Sequence, residues 1–549
     1  MDSRAATGPR RPERGASGPS VSARDSRGQD AGQNAGGQDV AGQNSSGRDS
    51  RGRPLAGRRT RRARIPRRRR PDARPATSGI PRVGGRTVAW LAVYALGLAA
   101  CHYLVIAPAF AYLGFERVPP NPLVALVVTP TYLLCARRLP LSWERPSAIV
   151  YWMLFLVVVA PVHVLPMFTT DLSTAVWLMV GGVAAAFWLL GGIYSVPLWR
   201  FRPPAVPARV YWPAYALLWL VMTGVVVGYY GLHLRLVTLS EIYAVRDTYR
   251  DSFGEVPKAA KYVVPWLGNV IAPVAIARGL MTRRWGWVAL GVLTEMYLVS
   301  ITGFKQLLFS SLLAAGVVVL ARTTDLARIG RRVGVLAGCG VLAVTAIDFA
   351  RGGWGLSSIL VRRLVLTSAV NTKYHFEFFL QNPKGFLGYG VLSHWVDYPY
   401  DLKPPFLIGQ VYYGNPEMSA NANLWADAYA NFGLVGVFVF TGILAAVLHF
   451  SDSAARGLPA GLALAALAQS AFSVSNTAML TVFLTHGMLL AVAVVYLMPA
   501  GDDSGRSKPG RPSLRRLRRR FRLRRTRRGP PEVVRPRPRP RLSGSRAHS

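Results

Sequence analysis

Long apolar stretches recur along the chain from residue 87 onward, separated by short clusters rich in Arg, Pro and Gly. Twelve stand out, at about 87–114, 119–136, 145–166, 172–198, 210–232, 262–281, 285–303, 306–321, 333–350, 431–450, 457–475 and 479–498. Each approaches the length a helix needs to cross the ~30 Å hydrocarbon core of a bilayer. The pattern predicts an all-α polytopic membrane protein of about 12 transmembrane helices. The second stretch is short and bounded by prolines, and only Phe304-Lys305-Gln306 divides the seventh from the eighth.

The flanks obey no such pattern. Residues 1–86 consist largely of Arg, Gly, Ser, Gln, Asp and Pro, with near-repeats of Gly-Gln-Asp and Gly-Gln-Asn, and residues 501–549 are dense in Arg. Too few apolar groups are present there to offset the entropy of ordering, so both ends are expected to be disordered arms around a membrane domain at 87–500. No apolar run follows the first residues, so a signal peptide is not expected.

Composition sharpens this picture. The 549 residues are 51% hydrophobic and 17% charged, with 66 Lys+Arg against 26 Asp+Glu and a formal net charge of +40. Most of that surplus lies on the two arms. The combination argues against a soluble globular enzyme and against a small domain built on disulfides. All three cysteines, Cys101, Cys135 and Cys339, fall inside apolar stretches. Apart from Phe521, the arms carry no aromatic residues among their arginines. Attraction to an anionic inner leaflet is therefore favoured over nucleic acid as their partner.

Charges between the stretches suggest an orientation. With a cytoplasmic N-terminus the inner loops hold Arg137, Arg138, Arg145, Arg200, Arg202, Arg209, Arg283, Arg284, Arg322, Arg328, Arg331, Arg332 and Arg456. The short outer loops hold only Arg117 and Lys305. This positive-inside bias predicts both ends in the cytoplasm of a multi-pass cell-membrane protein, and two long outer loops at about 233–261 and 351–430.

Those loops carry the candidate chemistry. The first presents Tyr243, Arg246 and Arg250 at helical spacing behind a capping Ser240, a basic strip with one aromatic ring. The second presents Arg351, Arg362, Arg363, Lys373, His375, Glu377, His394, Asp397, Asp427 and Tyr429 among many aromatic rings. Arginine suits phosphate because its planar fork pairs bidentately. Rings beside ionisable groups suit a carbohydrate cleft at a lipid boundary. The plainer alternative is ordinary surface pairing with an aromatic belt. His394 and Asp397 lie close in sequence, a spacing more often structural than catalytic. Inside the stretches Arg278, Glu295 and Asp348 are costly in lipid and count as functional candidates, although buried pairs that only fix packing would look the same. Metal-ligand spacings, nucleotide loops and nucleophile elbows are missing from the sequence, so no cofactor and no metal are expected.

Three stretches resemble a family, the bacterial oligosaccharide repeat-unit polymerases of the Wzy O-antigen type. They are Glu241-Ile242-Tyr243-x-Val245-Arg246, then Ile301 to Leu308 around Lys305, then the run from Asn421 through Asn423, Asp427, Tyr429, Asn431 and Gly433 to Gly436. The similarity covers roughly 230–450. It implies a GT-C-like, metal-independent glycosyltransferase that joins polyprenyl-diphosphate-linked oligosaccharides on the outer face, with a chain-length regulator as a further partner. It implies arginines that stabilise the diphosphate leaving group, Arg246 first, then Arg250, Arg351, Arg362 and Arg363. A base would come from Glu377, His375, Asp397 or His394, with Lys305, Tyr243 and Tyr429 near the substrate and Asp427 orienting Arg246 or Arg362. An O-antigen ligase would need the same residues. A lipid-linked glycan flippase is the rival from another class, and no internal repeat speaks for it.

Overall fold

The computed structural model describes residues 81–500 apart from 202, 205, 233–244, 246–248, 250–255 and 391. The basic arms, at 1–80 and 501–549, lie outside the described residues, as does most of the loop expected at 233–261. Helices make up the described chain, and its one β-bridge joins Arg82 to Pro140.

Nine described helices are long and apolar enough to cross a membrane: Gly85–Leu113, Ser147–Phe168, Thr174–Tyr194, Ala208–Tyr230, Lys261–Thr282, Trp285–Thr302, Gln306–Thr323, Leu326–Ala350 and Leu424–Ala454. The protein is a multi-pass membrane protein. Large apolar side chains such as Leu96, Leu123, Leu217, Leu312 and Leu336 stand exposed along the outer helices, where lipid covers them. The helix 147–168 is the centre of the bundle and is almost wholly buried, with Tyr151 stacked on Phe187 at 4.1 Å.

Three of these helices contain a proline at a similar place, and all three solve the problem alike. Proline has no N–H to donate and clashes with the carbonyl four residues back. Widened π-turns at His102–Ile106, Phe155–Val159 and Leu267–Ile271 immediately precede Ala107-Pro108, Ala160-Pro161 and Ala272-Pro273. The wider turn absorbs the proline without breaking the span.

Hydrogen bonds and ring contacts gather the helix ends into two groups. At one end Leu139 accepts from Val83, Trp143 donates to Leu326, Arg145 to Ile193, and Arg456 to Trp199. This end carries the arginines of the short connections, and both Val83 and Ala500 belong to it, the latter beside Gly457. At the opposite end Asn121 donates to Met167, Thr170 to Glu116, and Phe110 meets Trp354.

Elsewhere the chain departs from its hydropathy pattern. The second stretch is Pro122–Arg138, 17 residues long, starting behind Asn121, whose side chain caps the N–H groups of Leu123 and Val124. Ala460–Ser473 is short. The twelfth stretch is divided into Met479–Leu484 and Met488–Leu497 by Thr485-His486-Gly487, with Gly487 at φ +83°. Tyr211 donates to Val494, which brings this last segment back to the basic end. Residues 355–381, expected as loop, are helical throughout, including a π-turn segment at Ser358–Leu366. Hydropathy missed this helix because Arg362, Arg363, Lys373 and Glu377 interrupt its apolar face.

Gly433 breaks the helix Leu424–Ala454 at φ +62° and ψ −152°, a conformation that side-chain-bearing residues rarely adopt. Gly433→Ala should therefore cost about 1–3 kcal/mol and lower the aggregation temperature of the solubilised protein. An unchanged temperature would mean that the break is not strained.

The ionisable candidates inside spans have structural partners. Asp348 accepts from the backbone N–H of Ser357 at 2.6 Å and so caps helix 355–381. Glu295 accepts from the Ser311 hydroxyl at 2.9 Å. Arg278, expected to snorkel, is buried between the rings of Trp212 and Trp287.

Candidate active site

Helix 355–381 positions most of the polar groups at the end opposite the basic one. Thr367–Gln381 turns two faces to different neighbours. On one face Lys373 Nζ lies 3.4 Å from Asp171 Oδ2, 3.4 Å from Glu377 Oε1 and 3.9 Å from Glu116 Oε1. Glu116 in turn accepts from the Thr169 hydroxyl and the Thr170 N–H, both at 3.1 Å, which folds the 169–173 connection over it. Three carboxylates thus share one ammonium.

That imbalance falls on Glu377. Burial, together with the neighbouring Asp171 carboxylate, raises its pKa from 4.5 to about 7, against the opposing pull of Lys373. A carboxyl poised there can exchange a proton near neutral pH. Beside it a cavity of about 40 Å³, enough for a water molecule, is lined by His102, Glu116, Phe168, Thr169 and Lys373 among others. Tyr374 stacks on Tyr412 at 4.1 Å and closes the site with an aromatic wall.

The other face is an internal network. His375 Nδ1 donates to the Asn371 carbonyl at 2.7 Å, Asn371 Nδ2 to the Asn421 carbonyl at 2.7 Å, and Asn423 Nδ2 to the Thr372 hydroxyl at 2.8 Å. Burial pushes the His375 imidazole down to about 4, so it is neutral. Tyr429 stacks on Phe376 at 3.9 Å with the Lys384 ammonium 4.4 Å from its centroid. Asn423 also caps the N-terminus of helix 424–454.

The sequence candidates are therefore dispersed. Glu377 belongs to the carboxylate cluster, whereas His375, two residues before it, and Tyr429, stacked on Phe376 from the neighbouring helix, are buried away from it. Asp427, expected to orient Arg246 or Arg362, is buried, accepts from Tyr389 Oη at 3.0 Å and Asn431 Nδ2 at 3.2 Å, and receives the Met479 N–H, while Arg246 lies outside the described residues. Arg362 is also buried, but its guanidinium donates to Ser358 Oγ at 3.1 and 2.8 Å and lies 4.1 Å from the centre of the Phe110 ring. It stands four turns before Glu377, roughly 20 Å along the helix. Arg351 and Arg363 are exposed. His394 and Asp397 are both exposed in the turn-rich segment before Tyr398. Tyr243, Arg246 and Arg250 lie outside the described residues, and so does the side chain of Lys305, whose backbone opens the helix Lys305–Thr323.

Sequence reasoning passed over Asp171 altogether and dismissed Glu116 as a single acid. The one available signal was the i,i+4 spacing of Lys373 and Glu377, which puts both on one helical face. Nothing local links them to residues more than 200 positions earlier. No family model, no curated protein and no solved structure matches this chain.

Proposed function

We propose that this protein is an integral-membrane, metal-independent glycosyltransferase of the GT-C type. It joins polyprenyl-diphosphate-linked oligosaccharide repeat units into a cell-surface polysaccharide. The observation that carries this reading is Glu377, held near pKa 7 among Lys373, Asp171 and Glu116 at the end of the bundle opposite the arginine-rich end. A positive-inside bias puts that end outside the cell and both termini in the cytoplasm. Ten passes and one re-entrant hairpin at 460–497 give the same even count as twelve passes.

In the reaction the acceptor hydroxyl oxygen attacks the anomeric carbon of the donor sugar. The bond from that carbon to the diphosphate oxygen breaks, and its electron pair leaves with the diphosphate. Glu377 takes the hydroxyl proton. Lys373 fixes the carboxylate without a metal ion, and Arg246 with Arg250 meets the growing charge on the leaving group. Arg362, roughly 20 Å along its helix from Glu377, holds that helix against Phe110 and is too distant to meet the leaving group of a sugar attacked there.

Arg246→Ala should stop chain growth while the protein remains inserted and abundant, and Arg246→Lys should restore only part of the activity because the ammonium lacks the bidentate fork. Glycan of parental length in the alanine variant would remove Arg246 from the site.

A second reading, carriage of the lipid-linked glycan across the membrane, is favoured by one observation. The chain enters and returns at the basic end over 460–497 with its helices interrupted, as helices at transport sites often are. Resolving the lipid-linked intermediates of a deletion strain by length and by membrane face separates the two. A single repeat unit accumulating on the outer face supports the polymerase, and one trapped on the inner face supports carriage.

A further inference from the structure

Helices Ala208–Tyr230 and Trp285–Thr302 meet at three levels and leave a hollow between two of them. At the basic end Trp212 and Trp287 lie edge to face at 5.8 Å. Deeper, Trp219 Nε1 donates to Thr294 Oγ1 at 2.9 Å, and at the far end Tyr297 Oη donates to the Gly231 carbonyl at 2.6 Å. Two contiguous cavities occupy the outer part of this seam. One, of about 440 Å³, is lined by Arg209, Arg278, Arg284, Trp212 and Trp287 among others. The second, of about 500 Å³, continues along Leu217, Leu220, Gly286 and Leu290, and the two share Ala216, Arg284 and Trp287.

We propose that this seam binds one anionic phospholipid, with its phosphate among Arg209, Arg278 and Arg284 and an acyl chain in the apolar groove beyond. The gradient along the helices matches such a molecule. Arg209 and Arg284 stand at the helix starts, where a headgroup lies. Leu220 is eleven residues further in, roughly 16 Å towards the bilayer centre by helical rise. Arg278 forms the floor. It is buried, and its guanidinium carbon is 3.4 Å from the Trp212 ring centre and 4.6 Å from that of Trp287. Stacked in this way, the guanidinium keeps its plane fixed at the floor of the pocket. The two cavities together ask for one ligand with a charged head and an apolar tail. A basic pocket between membrane helices, at the end where arginines collect, is where an anionic lipid headgroup is recognised.

The lipid is distinguished from a free phosphate by the groove. The full-length protein in detergent, titrated with phosphatidylglycerol, phosphatidylcholine or inorganic phosphate and read by native mass spectrometry, provides the test. One phosphatidylglycerol should be retained more tightly than phosphatidylcholine, whose ammonium would approach three arginines. Arg209→Gln with Arg284→Gln, both at exposed positions, should weaken phosphatidylglycerol binding about tenfold or more. Gly286→Leu should weaken the lipid and leave inorganic phosphate unaffected. A Cβ at Gly286 meets no atom within 4 Å, so that side chain fills the groove without disturbing the fold. Equal retention of the two lipids, or unaltered binding in the double arginine variant, would overturn the proposal. So would phosphate binding together with phosphatidylglycerol binding that Gly286→Leu leaves unchanged, which would make the pocket a free-anion site. If phosphatidylglycerol binds only after residues 501–549 are removed, the chain's own tail is the occupant and the lipid proposal is wrong.

Discussion

Replacing Glu377 with Gln should reduce elongation of a lipid-linked repeat unit in reconstituted membranes by about two orders of magnitude or more, the scale on which general bases act. The amide keeps the shape of the side chain and removes its capacity to take a proton. Wild-type activity should rise with pH through about 7 as the carboxyl ionises. Two neighbours should move that midpoint in opposite directions. Lys373→Met removes the cation that favours the ionised form and should shift the profile to higher pH. Asp171→Asn removes a like charge and should shift it lower. Stability follows from the same group with the opposite sense. Between 4.5 and about 7 the folded protein holds a proton that the unfolded chain has released, so stability falls as pH rises across that window. Glu377→Gln should flatten this slope. A pH–rate profile unmoved by both neighbouring substitutions would exclude Glu377 as the base.

What the sequence made legible, and what it hid, follows from the kind of signal each element carries. Spans such as 174–194 and 326–350 are apolar at almost every position, and hydropathy alone locates them. The helix 355–381 is amphipathic, with charges on the faces that meet Glu116 and Phe110, so the same measure reads it as loop. Residues 460–497 read by hydropathy as two full stretches, and the break at Thr485-His486-Gly487 that divides the second into Met479–Leu484 and Met488–Leu497 leaves no signal in that measure. The proline at each π-turn was visible, but its remedy is a backbone geometry that leaves no residue signature. Site residues divided in the same way. Glu377 could be named because a carboxylate among aromatics is locally conspicuous. Its partners Asp171 and Glu116 come from two other helix connections, and only the packing of helices 85–113 and 147–168 against 355–381 brings them to Lys373. Asp427 lies four residues before an apolar stretch, and its burial against Tyr389 and the Met479 N–H comes from segments that no local pattern links to it.

The break at Gly433 sets the conditions for the second large effect, Asn431→Ala. Asn431 is fully buried one residue before Phe432-Gly433 and serves both sides of a tight junction. Its side-chain oxygen accepts the Leu387 N–H at 2.8 Å, and its carbonyl accepts the Phe386 N–H at 3.3 Å. Phe386 and Leu387 both have positive φ, +45° and +59°, which residues with side chains seldom adopt unless their surroundings enforce it. The Asn431 amide nitrogen donates to the Asp427 carbonyl at 2.9 Å and approaches the Asp427 carboxylate and the Tyr389 hydroxyl, both at 3.2 Å. Alanine would strand the Leu387 N–H and leave the buried Asp427 carboxylate with Tyr389 and the Met479 N–H. Each stranded buried group costs about 1–3 kcal/mol, and the Leu387 turn then keeps only backbone bonds, from the Phe386 N–H to the Asn431 carbonyl and from the Gly390 and Leu392 N–H groups to the Leu387 carbonyl. The segment from Phe386 to Tyr398 should then become a site of rapid limited proteolysis, while the membrane helices remain protected. Asp427→Asn should do much less, because an amide still accepts from Tyr389 and fits the same space. Were the two variants to be cleaved at the parental rate, the turn would be held by its own packing, through Tyr389 against Tyr398 at 5.2 Å, and the Asn431 network would have no part in presenting it.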